Sequence, residues 1–210
     1  SSGTHKLFRN NLDTTNTVEE AFSNITTGSG LEIGTSTSIE HIAYDFNNDG
    51  FVDIMGGGNK ILFNQGNMTF ASTSFTGLAI GAVGDFNNDG FLDVQNGNTL
   101  KLNSGNTNKW IKITLKGIQS NSNGIGARVE IYGAWGKQIR DIRSGEGFRY
   151  MNTLNAHFGI GQATAITQVI IRWPSGLVDT INNPAVNQSL FVIEGSTLSI
   201  DNFNSSVFSI

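Results

Sequence analysis

The chain has 210 residues, and its composition points to an all-β protein with many tight turns. It contains 26 Gly, 25 Asn and only 2 Pro, and Gly and Asn favour turns with positive φ. Charged residues make up 14% of the chain and the net charge is −4, which argues against nucleic acid and anionic membranes as partners. Cys is absent and no apolar run approaches the ~18 residues of a membrane span, so the sequence predicts neither disulfides nor a transmembrane helix.

The N-terminal half repeats with a period of 40 residues. The stretch "DFNNDGFVD" at 45–53 returns as "DFNNDGFLD" at 85–93, and "GGNKILFNQGN" (57–67) returns as "NGNTLKLNSGN" (96–106). A partial third copy precedes them, since "HKLFRNN" (5–11) resembles "KILFNQGN". Such periods are typical of propeller blades or of a β-solenoid, and we assign residues 1–108 to about two and a half blade-like repeats of an incomplete β-propeller. Because these repeats cannot close a ring, we expect the remaining blades to belong to a longer parent protein.

The repeat pattern stops near Lys109, where a second region of strands begins. The predicted strands are "WIKITLKG" (110–117), "ARVEIYG" (127–133), "KQIRDIR" (137–143), "QVIIRW" (168–173) and "SLFVIEG" (189–195). We predict that residues 109–195 form an antiparallel β-sandwich or barrel, and that residues 196–210 form a polar linker or tail.

Each nonapeptide has the pattern D-x-N-x-D-G-x-x-D, which is the first part of an EF-hand-type calcium loop. Three carboxylates with neutral oxygens suit a hard cation of flexible coordination, so the sequence predicts two Ca²⁺ sites. The predicted ligands are Asp45, Asn47, Asp49, Phe51 (through its carbonyl) and Asp53 in the first loop, and Asp85, Asn87, Asp89, Phe91 (through its carbonyl) and Asp93 in the second. The alternative interpretation is a plain surface turn rich in side-chain-to-backbone hydrogen bonds.

The last position of these loops predicts a location. The twelfth position is Gly56 in the first copy and Asn96 in the second, where calcium sensors of the cytosol carry a bidentate Glu. Loops without that Glu are expected to bind calcium weakly and to fill where calcium is near millimolar. We therefore expect an extracellular or cell-surface protein.

Two stretches resemble known families. Residues 41–106 resemble the FG-GAP/VCBS repeats of integrin α-subunit-like propellers, whose calcium loops follow D-x-[DN]-x-D-G-x-x-D. Residues 109–195 resemble the ASPIC/UnbV domain that follows such repeats in cartilage acidic protein-like bacterial surface proteins, through "SNGIGARVEIYG", "HFGIG" and "VIIRWPSG". The tail "STLSIDNFNSSVFSI" resembles the linker that precedes a type IX secretion sorting domain. These resemblances imply a secreted, calcium-binding protein with a role in adhesion.

The second region offers three arrangements that could carry chemistry. They are a hydrolase triad of Ser144, His157 and Asp141, a glycosidase pair of Glu130 and Glu146, and an exposed sugar-binding pair of Arg172 and Trp173. The triad lacks a G-x-S-x-G elbow, and the sequence does not fix the separation of the two Glu. A buried histidine beside an aromatic–glycine turn is the simpler interpretation of "HFGIG", and a core tryptophan beside a turn is the simpler interpretation of "RWPSG".

The sequence therefore favours a non-enzymatic, calcium-stabilised module that binds an extracellular protein or polysaccharide or serves as a structural element. The alternative is a glycan-active enzyme, or an accessory domain of one, whose active site lies in the missing blades.

Overall fold

The computed structural model describes residues 6–11, 21–31, 41–56, 59–146 and 150–197, and these residues confirm the predicted all-β class. The strands are β1 (Phe8–Asn10), β2 (Phe22–Asn24), β3 (Ile42–Tyr44), β4 (Asp53–Met55), β5 (Lys60–Asn64), β6 (Phe70–Ser74), β7 (Ala82–Gly84), β8 (Asp93–Asn96), β9 (Thr99–Lys101), β10 (Lys109–Lys116), β11 (Arg128–Gly133), β12 (Gly136–Asp141), β13 (Ala156–Gly161), β14 (Gln168–Arg172), β15 (Val178–Asn182) and β16 (Gln188–Ile193). In the part of the chain that is described, no helix is long and apolar enough to cross a bilayer. Most of the predicted tail, residues 198–210, lies outside the described residues.

The chain divides into two compact units. Unit 1 comprises Ser1–Trp110, Gly145–Thr153 and Phe158–Gln162, and unit 2 comprises Ile111–Ser144, Leu154–His157 and Ala163–Ile210. Two short segments from the C-terminal half of the sequence therefore belong to unit 1, together with the repeats.

In unit 1 the 40-residue period appears as two successive antiparallel sheets. The first repeat forms the four-stranded sheet β3-β4-β5-β6, and the second forms the three-stranded sheet β7-β8-β9. The partial third copy contributes the antiparallel pair β1-β2. In the second repeat the chain enters β10 at Lys109, where the first repeat enters β6 at Phe70, and β10 belongs to another sheet. The second sheet is therefore one strand shorter than the first.

Each nonapeptide connects two paired strands. The first runs from β3 to β4, where Tyr44 pairs with Asp53, and the second runs from β7 to β8, where Gly84 pairs with Asp93. The apolar residues that flank these loops form one buried cluster, made of Ile42, Phe46, Met55, Ile61, Ile80, Val83, Leu92 and Val94. Burying side chains of this size contributes roughly 1.5–3 kcal/mol each, so the cluster fixes the position of both loops.

Unit 2 is built on the sheet β12-β11-β14-β15. The strands β13, β10 and β16 form a further sheet, in the order β13-β10-β16. Alternate residues point into the interior, such as Val129 and Ile131 on β11 and Ile111 and Ile113 on β10, each fully buried. The pairing of β10 with β16 is parallel, which differs from the purely antiparallel domain that the sequence predicts. The described strands form no closed barrel, so the sandwich-like form is the one that fits and the barrel alternative is wrong.

Candidate metal centre

The first loop folds around its own carboxylates. The Oδ2 atom of Asp45 accepts a hydrogen bond from the Gly50 amide at 2.9 Å, and the Oδ2 atom of Asp53 accepts one from the Phe46 amide at 2.9 Å. The Oδ1 atom of Asp53 accepts a further bond from the Asn64 amide at 2.8 Å. Gly50 has φ 95°, which allows the sharp turn that brings the end of the loop back to its start.

The second loop repeats these three hydrogen bonds. Asp85 Oδ2 accepts from the Gly90 amide at 3.1 Å, and Asp93 Oδ2 accepts from the Phe86 amide at 2.9 Å. Asp93 Oδ1 accepts from the Asn103 amide at 2.8 Å. The structure therefore gives the two copies a common conformation, set by contacts within about twenty residues of chain.

The middle of each loop is organised in the same way. In the first loop Asn47 Oδ1 accepts from the Asp49 amide at 3.1 Å, Asn47 Nδ2 donates to Asp49 Oδ2 at 2.9 Å, and Asp49 Oδ1 accepts from the Phe51 amide at 2.8 Å. The second loop forms the same three bonds through Asn87, Asp89 and Phe91 at 3.1, 2.8 and 2.8 Å. Each predicted side-chain ligand thus belongs to one continuous hydrogen-bonded loop.

The last carboxylate of each loop lies in an unfavourable place for a negative charge. Burial raises the pKa of Asp53 to about 7, against the hydrogen bonds from Asn64 and Phe46, and the charges of Asp45 and Asp49 raise it further. Burial likewise raises the pKa of Asp93 above its usual value. A loop with three carboxylates and a buried end therefore carries an electrostatic cost that a bound cation would remove.

The chemistry of the donor set fits calcium. All five predicted positions of each loop offer oxygen, which is the ligand atom of hard cations. Most of the carboxylate oxygens accept a hydrogen bond from a backbone amide. Because a carboxylate has about four lone-pair sites, acceptor capacity remains for a metal. Among the described residues, no three acidic or histidine side chains converge into a ready-made metal cluster. A cation would therefore draw the oxygens of Asp45, Asn47, Asp49 and Asp53 together, and those of Asp85, Asn87, Asp89 and Asp93 likewise.

Sequence reasoning missed two residues that support the loops. Asn64 and Asn103 close the two loops through their backbone amides, and the side-chain oxygen of each accepts from a glycine amide two residues later at 3.0 Å. The sequence contains a pattern that could have identified them, because Asn-x-Gly occurs at the same place in "LFNQGN" and "KLNSGN". Asn103 also donates from Nδ2 to the Phe46 carbonyl at 2.8 Å and so ties the second repeat to the first loop.

The candidate catalytic residues of the second region are engaged in local contacts. Asp141 forms an ion pair with Arg128, with 2.8 Å between Nε and Oδ1, and this pairing lowers the pKa of Asp141. Glu130 accepts from the Tyr132 hydroxyl at 2.6 Å and lies in unit 2. Glu146 lies in unit 1 and accepts from the Tyr44 hydroxyl and, at 3.2 Å, from Asn152 Nδ2. The two glutamates are thus held in different units by different neighbours.

The other features of the second region are internal. His157 is buried, as the sequence predicts, but "HFGIG" forms strand β13 and not the expected turn. Trp173 is only 4% exposed and donates from Nε1 to Asp179 Oδ2 at 2.7 Å. The interpretation of Arg172 and Trp173 as an exposed sugar-binding pair is therefore wrong, because the indole belongs to the core of unit 2.

A buried carboxylate, Glu194, binds the serine of the turn that follows this tryptophan. Glu194 Oε2 accepts from the amides of Ile118, Gln119 and Ser120 at 2.6, 2.7 and 2.8 Å, and Oε1 accepts from the hydroxyls of Ser120 and Ser175. Burial acts to raise the pKa of Glu194, but these hydrogen bonds outweigh it and hold the pKa at about 2. Hydrogen bonds to this carboxylate therefore hold the turn at 173–176 against the end of β16.

Comparison with protein families identifies a match to part of the chain. No curated protein matches the chain. The matching segment lies in the second region. It includes "HFGIG", which is part of strand β13, and "GIGARV" and "RWPSG", which lie in the neighbourhood of Trp173. It confirms the predicted ASPIC/UnbV resemblance, while the FG-GAP/VCBS resemblance and the type IX tail stay predictions. Residues 117–199, which make up less than half of the chain, match the family described as ASPIC and UnbV.

Proposed function

We propose that this protein is a calcium-stabilised, non-catalytic module that works outside the cell as a binding or structural element. The proposal rests on one observation: two loops 40 residues apart share the same carboxylate pattern and the same hydrogen bonds. A plain surface turn would not need to bury its last carboxylate, yet Asp53 and Asp93 are 0% and 1% exposed. Calcium in both loops would compensate these buried charges and stiffen the connections between paired strands.

The expected effect of calcium on stability is large. With free calcium about 100-fold above the dissociation constant, each site contributes roughly 2.7 kcal/mol to the folded state. Two such sites contribute about 5 kcal/mol, which is comparable to the total stability of many small domains. Because Gly56 and Asn96 replace the bidentate Glu of cytosolic sensors, this occupancy requires the calcium concentration found outside cells.

A groove in unit 1 supports binding in preference to catalysis. It has a volume of about 450 Å³ and lies between the two repeats, where Phe46, Phe63 and Phe75 meet Leu92 and Leu102. Its described lining also contains Asn47, Asn103 and Asn106 and one cation, Lys101, but no acidic residue and no histidine. Apolar walls with a few amides can hold an extended protein segment or a polysaccharide.

The proposal is tested by calorimetry with and without a calcium chelator. We expect the chelator to lower the Tm of the wild type by about 10–20 °C, on the basis of two sites and roughly 2–4 °C per kcal/mol for a chain of this size. Asp45→Asn and Asp85→Asn should each remove about half of this effect. Asp141→Asn changes an exposed carboxylate outside the loops and should leave it intact. A wild-type Tm that does not respond to the chelator would refute the proposal.

A further inference from the structure

The two loops share a conformation but not an environment. In the first loop Asp45 is 2% exposed and Asn48 is fully buried. In the second loop Asn87, Asn88 and Asp89 are all exposed. Since the two sequences are identical over the first seven positions, the difference comes from what packs against each loop and not from the loops themselves.

Strand β13 covers the first loop. A Cβ atom on Gly159 would overlap Asn48 Cα and Asp45 Oδ2, so the backbone of "HFGIG" touches both the loop and its first carboxylate. The amide of Gly161, two residues later, donates to the Asn48 carbonyl at 2.8 Å. Only glycine permits an approach this close, which gives Gly159 a specific role at the loop.

Neutral amides also contact the first loop. The Nδ2 atoms of Asn106 and Asn108 donate to the Asn47 carbonyl at 2.7 and 2.9 Å, and Asn48 Nδ2 donates to the Gly90 carbonyl at 2.9 Å. The Oδ1 atom of Asn48 is buried and accepts no hydrogen bond from the described residues. A buried acceptor that receives no hydrogen bond is a place where a water or an ion can bind.

We infer that the two loops are a closed and an open cation site, and that Gly159 is the residue that closes the first. This inference rests on the proposed function. A cation in the first loop is enclosed by β13 and leaves only when that strand moves away, so it exchanges slowly and carries few water molecules. A cation in the second loop faces solvent across Asn87–Asp89, so it keeps more bound water and exchanges rapidly.

Terbium luminescence measures both properties, with Tb³⁺ as the probe in place of calcium. Luminescence lifetimes in H₂O and D₂O give the number of bound waters, and mixing with a chelator gives the release rate. Asp85→Asn disables the second site, so that the first can be measured alone, and Asp45→Asn disables the first, so that the second can be measured alone. We expect fewer bound waters on Asp85→Asn than on Asp45→Asn, and release slower by at least about tenfold.

Gly159→Ala, made in the Asp85→Asn background, should abolish the slow phase or the remaining bound terbium. Gly145→Ala is the matched control, because a Cβ there meets nothing within 4 Å. If Gly159→Ala fails to fold, the comparison of Asp85→Asn with Asp45→Asn is by itself the test of the inference. Equal water numbers and equal release rates overturn the inference while two bound ions uphold the proposed function. A wild type that binds no terbium overturns both.

Discussion

The carboxylate of Asp179 should be one of the most sensitive positions in unit 2. Its Oδ2 atom accepts from Trp173 Nε1 at 2.7 Å and from the Gly195 amide at 2.8 Å, and its Oδ1 atom accepts from the amide and hydroxyl of Thr197 at 2.9 and 2.6 Å. Burial acts to raise the pKa of Asp179, but these bonds outweigh it and hold the pKa below its usual value. The residue is fully buried, so no water can replace a lost partner.

The loss in Asp179→Asn can be worked out from these four bonds. The amide keeps one oxygen and places an NH₂ group where the other oxygen accepted two hydrogen bonds, whichever way it is turned. Hydrogen bonds to a charged group contribute roughly 1.5–3 kcal/mol each, so we expect the free energy of unfolding to fall by about 3–6 kcal/mol.

Urea unfolding followed by circular dichroism measures this loss. Asp141→Asn is the matched control, because the Arg128–Asp141 pair is exposed, with side-chain exposures of 50% and 36%, and such pairs contribute up to about 1 kcal/mol. The reasoning fails if Asp179→Asn is no less stable than Asp141→Asn. That result would mean that the buried carboxylate is not what holds the end of β16 to the tryptophan.

Two further predictions concern the carboxylate of Glu194 and the glycine at position 90. Because the pKa of Glu194 is about 2 and the ordinary value is 4.5, its stabilising effect is complete above pH 4.5 and disappears as the pH falls towards 2. The difference in Tm between the wild type and Glu194→Gln should therefore narrow over that range, and a difference that stays constant would contradict the assignment. Gly90→Ala should destabilise unit 1 far more than Gly97→Ala, as judged by the urea midpoint. Both glycines have positive φ, but only the new Cβ at Gly90 would overlap the Trp110 ring. Similar midpoints would show that the indole can move aside.

Local chemistry is the part of this protein that can be predicted from its sequence. The equivalence of Asp45 with Asp85 and of Asp53 with Asp93 holds at the level of single hydrogen bonds, because most partners lie within the nonapeptide itself. The predicted strand at 110–117 coincides closely with β10 for a similar reason, since strict alternation of apolar and polar residues leaves one way to bury the apolar face.

Non-local contacts account for what could not be predicted. Five of the six residues of β13 are buried, so "AHFGIG" shows no alternation, and its two glycines suggest a turn. The role of Gly159 depends on Asn48, more than a hundred residues earlier, and no local pattern records that contact. The parallel pairing of β10 with β16 could not be predicted either, because apolar and polar residues alternate in the same way in parallel and antiparallel strands.

The hydrogen bonds that join the second repeat to the first loop are formed by uncharged groups. Asn103, Asn106 and Asn108 join the repeats through amide-to-carbonyl hydrogen bonds, and none of these groups gains or loses a proton in the physiological range. Mobile ions screen attractions between full charges but have little hold on such dipoles. The junction between the repeats should therefore keep its geometry over a wide range of salt concentrations.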